Sequence, residues 1–222
     1  MYNVLFQCPF TLLLSGASQS GKTNLTFNIL KFKNELFSKE IKKTILFYKK
    51  YQEIYNDMLK RKLIDEMIEI DDKMISENDF VKIVSPFKNK GGSLCVFDDC
   101  MEYVDENSSK IFTKVAHHEN SNVIFITQSL YIDNKYYRMM SKNANYIIVM
   151  KNPRDVSHIR TLASQMGMDT KLLLSAYKDA TKNSYSYLLI DFYPTTPEHI
   201  RLRSSIFRHE FPMKTYMQKN SI

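Results

Sequence analysis

Gly16-Ala17-Ser18-Gln19-Ser20-Gly21-Lys22-Thr23 decides the fold, because it matches the pattern G-x-x-x-x-G-K-T of phosphate-binding loops. A short apolar run at residues 10–14 precedes this loop, and apolar residues at helical spacing follow it over residues 23–32. When strand, glycine loop and helix come in this order, backbone N–H groups and the helix N-terminus point at phosphate oxygens. The sequence therefore predicts a site for a nucleoside triphosphate.

All eight loop residues are predicted to contact the nucleotide. Gly16 and Gly21 permit the tight turns that bring successive N–H groups toward the phosphates. Lys22 is expected to reach the β- and γ-phosphates, and the Thr23 hydroxyl is expected to bind Mg²⁺. The cofactors predicted from the loop are thus a nucleoside triphosphate, taken to be ATP, and Mg²⁺.

Length and composition indicate one substantial α/β domain. The chain has 222 residues, of which 44% are apolar and 25% charged, as in ordinary globular proteins. Apolar runs stay well short of the ~20 residues of a membrane span, and the N-terminus lacks the features of a signal peptide. We therefore expect an intracellular protein without stable membrane insertion.

The net charge indicates which partners to expect, and the cysteine content indicates the redox state of the compartment. The net charge of +7 and the pI near 9.1 fit a polyanionic partner, but they also fit the Lys-rich composition of an AT-rich coding sequence. Charge alone leaves both explanations open. Cys8, Cys95 and Cys100 lack metal-ligand spacing and are expected to be reduced thiols.

Apolar periodicity predicts alternating strands and helices after the loop. Further strands are expected at residues 44–48, 94–97, 122–128, 146–150 and 185–192. Helices are expected at residues 52–70, about 77–83, 110–118, 138–142 and 170–180, and a further helix is expected to begin after Asp155. Ser108 or Ser109 is expected to cap the helix at 110–118, and Asp155 is expected to cap the helix that follows it. Residues 1–195 are interpreted as a P-loop ATPase domain, and residues 196–222 as a basic C-terminal tail, weakly structured from residue 201.

A second motif places two acids at the end of a buried strand. Asp98 and Asp99 directly follow the apolar run 94–97, and ligands of open α/β sheets bind at the carboxyl ends of strands. We expect Asp98 to hold Mg²⁺ and Asp99 to polarise the attacking water.

Gln128 ends the next predicted strand, where its amide is expected to sense the γ-phosphate. A polar sensor that follows the acid-bearing strand is typical of ring and motor ATPases. The predicted fold class is therefore α/β, a P-loop NTPase of the RecA-like (additional-strand) class, with a mostly parallel central sheet flanked by helices.

An arginine finger that reaches a neighbouring subunit's nucleotide is expected in such a ring. Arg154, in the turn after strand 146–150, is the best candidate; Arg138 and Arg160 compete with it, and a plain surface role is equally open for each. The neighbouring His117 and His118 are not expected to bind metal, because no further ligand lies at suitable spacing.

Together these segments resemble the DNA-packaging ATPases of the poxvirus type in the FtsK–HerA superfamily, and most closely those of Maverick/Polinton-type elements. The resemblance runs from about residue 10 to residue 192. Its matching pieces are residues 16–23, Tyr51-Gln52 with Tyr55, 97–99, 117–120, 124–128, 143–146 and 151–155. The segments 117–120 and 151–155 are the most specific to this family, whereas the phosphate loop is common to many P-loop proteins.

The resemblance implies a homo-oligomeric ring that hydrolyses ATP to push double-stranded DNA into a preformed capsid, at a portal or other capsid protein, in virus-infected cells. It also implies that Lys22 and Thr23 bind phosphate and Mg²⁺, that Asp98 and Asp99 form the second acidic motif, and that Gln128 is the sensor. Many superfamily members carry Glu where Asp99 stands, and the Asp side chain is one methylene group shorter.

Three alternatives stay open on sequence grounds. A HerA-like translocase or helicase shares the same core motifs. A non-translocating P-loop phosphotransferase or switch protein would be active as a monomer on a small-molecule acceptor. A nucleotide-binding scaffold would assemble without measurable turnover.

Overall fold

A mixed β-sheet runs through the residues that the computed structural model describes, which are 4–154, 156–210 and 212–217. Its strands are β1 (Thr11–Ser15), β2 (Lys43–Tyr48), β3 (Glu66–Glu69), β4 (Ser93–Asp98), β5 (Ser121–Thr127), β6 (Tyr146–Met150), β7 (Tyr187–Asp191), β8 (Leu202–Arg203) and β9 (Thr215–Tyr216). They lie in the order β3-β2-β4-β5-β1-β6-β7-β8-β9. The strands from β3 to β6 pair in parallel, and β7, β8 and β9 add antiparallel pairs at one edge.

The position of β5 identifies the class of sheet. It lies between β1, which leads into the phosphate loop, and β4, which carries the acids. This inserted strand and the mostly parallel pairing confirm the predicted fold class.

Helices cover both faces of the sheet. They are α1 (Lys22–Lys31), α2 (Lys33–Leu36), α3 (Glu53–Lys60), α4 (Glu77–Val84), α5 (Glu106–Lys110), α6 (Ala116–His118), α7 (Lys135–Asn143), α8 (Val156–Gln165) and α9 (Thr170–Ala180), with a π-helical turn at Ile111–Val115 between α5 and α6. None of the described helices is long and apolar enough to cross a membrane.

Two apolar cores lie on opposite faces of the sheet. Alternate residues of each central strand enter different cores. Leu13 belongs to the core that includes residues of α4 and of α6 to α9, whereas Leu12 and Leu14 belong to the core that includes residues of α1 to α3. Strands buried on both faces must be apolar at successive positions. This is why continuous apolar runs locate them in the sequence.

The segment at residues 52–70 does not form the single helix that its periodicity predicts. α3 ends at Lys60, Lys62 has a φ of 55°, and the chain then enters β3. Asp65 fixes this change of direction, since its Oδ2 accepts a hydrogen bond from Thr44 N at 2.6 Å and its own N–H donates to Thr44 O at 2.8 Å. The prediction was wrong because hydrogen bonds to β2, a distant segment, determine this edge strand.

Two further helices begin earlier than predicted. The helix expected at 110–118 starts at Glu106, and its cap is Asp105 rather than Ser108 or Ser109; Asp105 accepts from Ser108 N, and Ser108 Oγ accepts from Asp105 N. α7 starts at Lys135 behind a cap at Asn134. The predicted cap at Asp155 lies outside the described residues.

The prediction that the segment from residue 201 is weakly structured is wrong for its described residues, 202–210 and 212–216. β8 and β9 extend the sheet beyond β7. Arg203 Nη1 lies 3.0 Å from Asp191 Oδ2, and the two side chains are only 1% and 3% exposed. A basic residue in this segment is therefore part of the buried core and not of a solvated tail.

Candidate nucleotide-binding site

The phosphate loop connects β1 to α1 through two sterically restricted glycines. A Cβ atom on Gly16 would lie 2.6 Å from Ser20 Oγ and 2.8 Å from Met150 Cβ. Gly21 has a φ of 97°, which L residues rarely adopt. The loop is also tied to the sheet, because Gly16 N donates to Thr127 O at 3.2 Å. The predicted strand–loop–helix unit is thus present.

The Lys22 ammonium group lies inside this loop. Its Nζ donates to Gly16 O at 2.8 Å and to Ala17 O at 2.9 Å. Burial lowers the pKa of Lys22 from its usual value, and the charges of Asp98 and Asp99 counteract this. The two acids, at the end of β4 and directly after it, therefore act electrostatically on the loop lysine.

Asp98 is the last residue of β4 and is only 5% exposed. Its Oδ2 accepts hydrogen bonds from Tyr55 OH at 2.9 Å and, more weakly, from Gln52 Nε2 at 3.4 Å and Thr23 Oγ1 at 3.5 Å. Burial raises the pKa of the Asp98 carboxyl, and the charge of Asp99 raises it further, while the bond from Tyr55 and the charge of Lys22 lower it. Thr23 and Asp98, the two predicted Mg²⁺ ligands, therefore lie next to each other.

The contacts of Tyr55 and Gln52 with Asp98 are site features that sequence reasoning did not assign. Gln52 precedes α3 and Tyr55 lies in its first turn, so the spacing of three residues puts both side chains on one side of the helix. Gln52 Nε2 also donates to Tyr55 OH at 2.9 Å. The Q-x-x-Y spacing after a predicted strand was the available signal.

Asp99 differs sharply from its neighbour. It is exposed and adopts a φ of 58°, a conformation that is uncommon outside glycine and is found at functional sites. Its charge nevertheless acts on both Lys22 and Asp98. The paired acids therefore provide one buried and one solvent-accessible carboxylate beside the phosphate loop.

Gln128 follows β5 and contacts the phosphate loop. Ser18 Oγ donates to Gln128 Oε1 at 3.5 Å, and both side chains are exposed. Because β5 lies between β1 and β4, Gln128 occupies the interval between the loop and the acids. This is the placement expected of a residue that contacts a γ-phosphate.

Arg154 lies in the exposed loop after β6, on the other side of β1 from the acids. Its backbone N–H donates to Asn152 Oδ1 at 3.1 Å. The competing Arg138 and Arg160 are exposed on α7 and α8. The assignment of Arg154, and not Arg138 or Arg160, as the arginine that reaches a neighbouring subunit's nucleotide stays a prediction.

The donor chemistry of this site fits Mg²⁺. Thr23 and Asp98 offer a hydroxyl and a carboxylate oxygen, the ligand types that Mg²⁺ takes alongside water and phosphate oxygens. Within the described ranges no group of three or more His, Cys, Asp or Glu side chains is arranged to hold a metal ion by itself. A metal held by Thr23 and Asp98 would take its remaining ligands from water and phosphate oxygens.

Two solved structures share the fold of this chain. The genome packaging NTPase B204 from Sulfolobus turreted icosahedral virus 2, in complex with ATP-gammaS, aligns with a TM-score of 0.51 and 16% identity over 98% of both chains. Its complex with AMP gives a TM-score of 0.50 and 16% identity, over 86% of this chain and 94% of that chain. No protein-family profile matches the sequence, and a search of curated proteins found no significant match. At this level of identity the likeness establishes a common P-loop NTPase fold.

Proposed function

We propose that this chain is an ATP-hydrolysing motor that translocates double-stranded viral DNA into a preformed capsid. The observation that carries the ATPase assignment is the meeting of the phosphate loop with the acid-bearing strand, where Thr23 Oγ1 lies 3.5 Å from Asp98 Oδ2. Lys22, Asp99 and Gln128 surround this point. The fold shared with a genome packaging NTPase supports the assignment to packaging.

Each site residue has a distinct role in this proposal. Residues 16–23 bind the phosphates, and Thr23 and Asp98 hold Mg²⁺, which when bound offsets phosphate charge. Asp99 is the exposed carboxylate that orients the attacking water and accepts its proton. Gln128 contacts the γ-phosphate and helps to place that water.

The proposed assembly is a homo-oligomeric ring in which Arg154 reaches the nucleotide of the next subunit. A ring forms from head-to-tail contacts, so such an arginine must lie on a surface other than the one that carries its own acids. Arg154 meets this requirement, because it follows β6 whereas Asp98 and Gln128 follow β4 and β5 across β1. Arg138 and Arg160 are the competing choices.

Double-stranded DNA and a capsid or portal-vertex protein are the proposed partners, during virion assembly in the host cell. The net charge of +7 favours sequence-independent contact with the phosphate backbone. Within the packaging motors, the resemblance of the sequence motifs to those of the poxvirus and Maverick/Polinton type supports assignment to that type. The alternative with the same core is a HerA-like translocase or helicase.

Steady-state ATP hydrolysis tests the proposal. The rate per chain is measured over a range of protein concentrations, with and without double-stranded DNA, at low and high salt, with Lys22→Ala as the control. A ring motor with a residue acting in trans gives a rate per chain that rises with concentration. DNA raises the rate further, and salt weakens this stimulation.

Other outcomes favour the other candidates. If the rate per chain does not change with protein concentration or with added DNA at low salt, the motor is contradicted and a monomeric phosphotransferase is favoured. Strand separation by the DNA-stimulated protein favours the helicase. Nucleotide-dependent assembly without hydrolysis, with or without a capsid protein, favours a scaffold.

A further inference from the structure

A cleft of about 260 Å³ opens beside the phosphate loop and plays no part in the catalytic roles described above. Residues 17–20 form one wall, and Lys151, Pro153, Ser184 and Tyr185 form the other. Complete ligand pockets are usually about 300–1,000 Å³, so this volume suits one part of a larger ligand. The remainder of that ligand would occupy the phosphate loop itself.

The sheet order determines which part of a nucleotide points toward this cleft. Asp98 and Gln128 lie on the β4–β5 side of β1, so the reacting γ-phosphate belongs on that side. The cleft lies on the opposite side, where residues 151–153 follow β6 and residues 184–185 precede β7. A triphosphate bound along the loop with its γ-phosphate at the acids therefore extends its nucleoside end toward the cleft.

Tyr185 has the properties of a ligand-contacting side chain. It is 68% exposed, the highest value among the exposed large apolar side chains that the structure describes, so burial stabilises its position little. It also has a φ of 64°, a backbone conformation that is strained for a residue other than glycine. Hydrogen bonds from Ser186 N and Oγ to Asn183 O hold the turn that imposes this conformation.

The ring of Tyr185 also touches the loop that binds phosphate. A Cβ atom built on Gly21 would lie 2.8 Å from Tyr185 Cδ1, so the ring packs directly against the Gly21 backbone. An aromatic ring at this place is within reach of a base attached to the bound phosphates. Aromatic side chains provide stacking surfaces for bases whatever their identity.

We propose that the cleft binds the nucleobase of the nucleoside triphosphate and that Tyr185 stacks on this base. The inference rests on the proposed nucleotide-binding function and adds a specific residue to it. It assigns Tyr185 to base binding and leaves phosphate binding to residues 16–23. Contact between Tyr185 and Gly21 then joins the two parts of the site.

Equilibrium binding of two ligands separates base contact from phosphate contact. ATP and inorganic tripolyphosphate, both with Mg²⁺, are titrated into the full-length wild type and into Tyr185→Leu and Tyr185→Phe. Leu keeps an apolar side chain against Gly21 without an aromatic face, and Phe keeps the face without the hydroxyl. Since Tyr185 is exposed, both variants should retain the wild-type melting temperature.

We expect Tyr185→Leu to weaken ATP binding by about 5- to 150-fold, the range for loss of one base–aromatic stack. Tyr185→Phe should bind ATP like the wild type, and tripolyphosphate affinity should be the same in all three proteins. Equal weakening of ATP and tripolyphosphate by Leu would overturn the proposal, since the ring would then only support the loop. Unchanged ATP affinity in Tyr185→Leu would overturn it as well.

The experiment measures binding and not turnover, so it is independent of the motor activity. If the protein binds ATP through Tyr185 but DNA does not stimulate its ATP hydrolysis, the proposed packaging function is contradicted and this inference stays intact. A wild type that binds neither ATP nor tripolyphosphate would contradict both.

Discussion

The hydroxyl group of Tyr55 lies 2.9 Å from Oδ2 of Asp98, and this buried hydrogen bond connects α3 to the acid that ends β4. Gln52 Nε2 donates to the Tyr55 oxygen at 2.9 Å, so the two side chains form a short chain of hydrogen bonds. Residues that fix a metal-binding carboxylate in this way commonly change metal affinity when altered. Tyr55 is therefore a positioning residue for Asp98.

Replacement of Tyr55 by Phe removes this hydroxyl and keeps the buried ring. We expect the Mg²⁺ concentration for half-maximal ATP hydrolysis to rise by about 10- to 100-fold. Nucleotide binding in EDTA should be unchanged, which separates loss of Asp98 positioning from a general defect. Tyr146→Phe is the matched control, because Tyr146 is also buried but its hydroxyl accepts from Gln7 N, near the amino ends of the strands. An equal effect of both substitutions would show that Tyr55 is merely structural.

Asp99 is predicted to act on the attacking water. Asp99→Asn should lower kcat by about 10²- to 10⁴-fold, the usual contribution of a general base, with ATP affinity unchanged. Asp99→Glu should retain most activity, because the exposed position accommodates one more methylene group. Glu102→Gln, an exposed acid three residues further on, is the control. If Asp99→Asn keeps the wild-type kcat, another group must activate the water.

Because Asp98 is buried for a functional role, its ionisation should lower the stability of the folded protein, and this loss should depend on pH. The folded state raises the pKa of this carboxyl, so its ionisation destabilises the fold as pH rises above the unfolded-state pKa. In EDTA without nucleotide, Asp98→Asn should therefore melt above the wild type at neutral pH, by about 2–4 °C per kcal/mol. The difference should shrink as the pH falls from neutral toward about 4 and should vanish below that, where both states of the wild type become protonated. A pH-independent difference would point to packing instead of ionisation.

Mixed rings test whether Arg154 acts on a neighbouring site. Lys22→Ala and Arg154→Ala should each be inactive alone, but an equal mixture should regain activity. About one interface in four then joins an intact phosphate loop to an intact arginine from the next subunit. The same mixing with Arg160→Ala and with Arg138→Ala compares the other candidates. If the Arg154→Ala mixture stays inactive after subunit exchange, Arg154 does not act in trans.

The sequence predicts those elements whose signals are local. β6 and α9 match their predicted bounds, since one is a continuous apolar run and the other a capped amphipathic segment. β3 was missed because its pairing with β2 is decided by hydrogen bonds between segments distant in sequence. The C-terminal strands were missed for a similar reason, as their basic composition gives no sign of a buried partner.

The same distinction between local sequence signals and contacts distant in sequence applies to the site. The phosphate loop, Asp98 and Gln128 each follow a recognisable strand, so their placement at one edge of a parallel sheet could be anticipated. Tyr185 was predicted to begin a strand, but it lies in the turn between α9 and β7, and no sequence motif marks it. Its contact with Gly21 arises from the order of β1, β6 and β7 in the sheet, which periodicity does not determine.

The buried pair of Asp191 and Arg203 should decide the stability of the C-terminal part of the sheet. Arg203 Nη1 donates to Asp191 Oδ2 at 3.0 Å and to Ile200 O at 2.9 Å, across β7 and β8. Arg203→Met would leave a buried carboxylate without its cation, and we expect the free energy of unfolding in urea to fall by about 3–5 kcal/mol.

Two further variants make this measurement specific. The double variant Asp191→Asn/Arg203→Met should recover much of the loss, because the uncompensated charge is removed together with its partner. Glu198→Gln is the control; it breaks the ion pair of Arg201 with Glu198, in which the glutamate is exposed, and should cost less than about 1 kcal/mol. If Arg203→Met cost no more than this control, β8 would contribute little to folding, and the C-terminal segment would behave as the independent tail that its composition suggests.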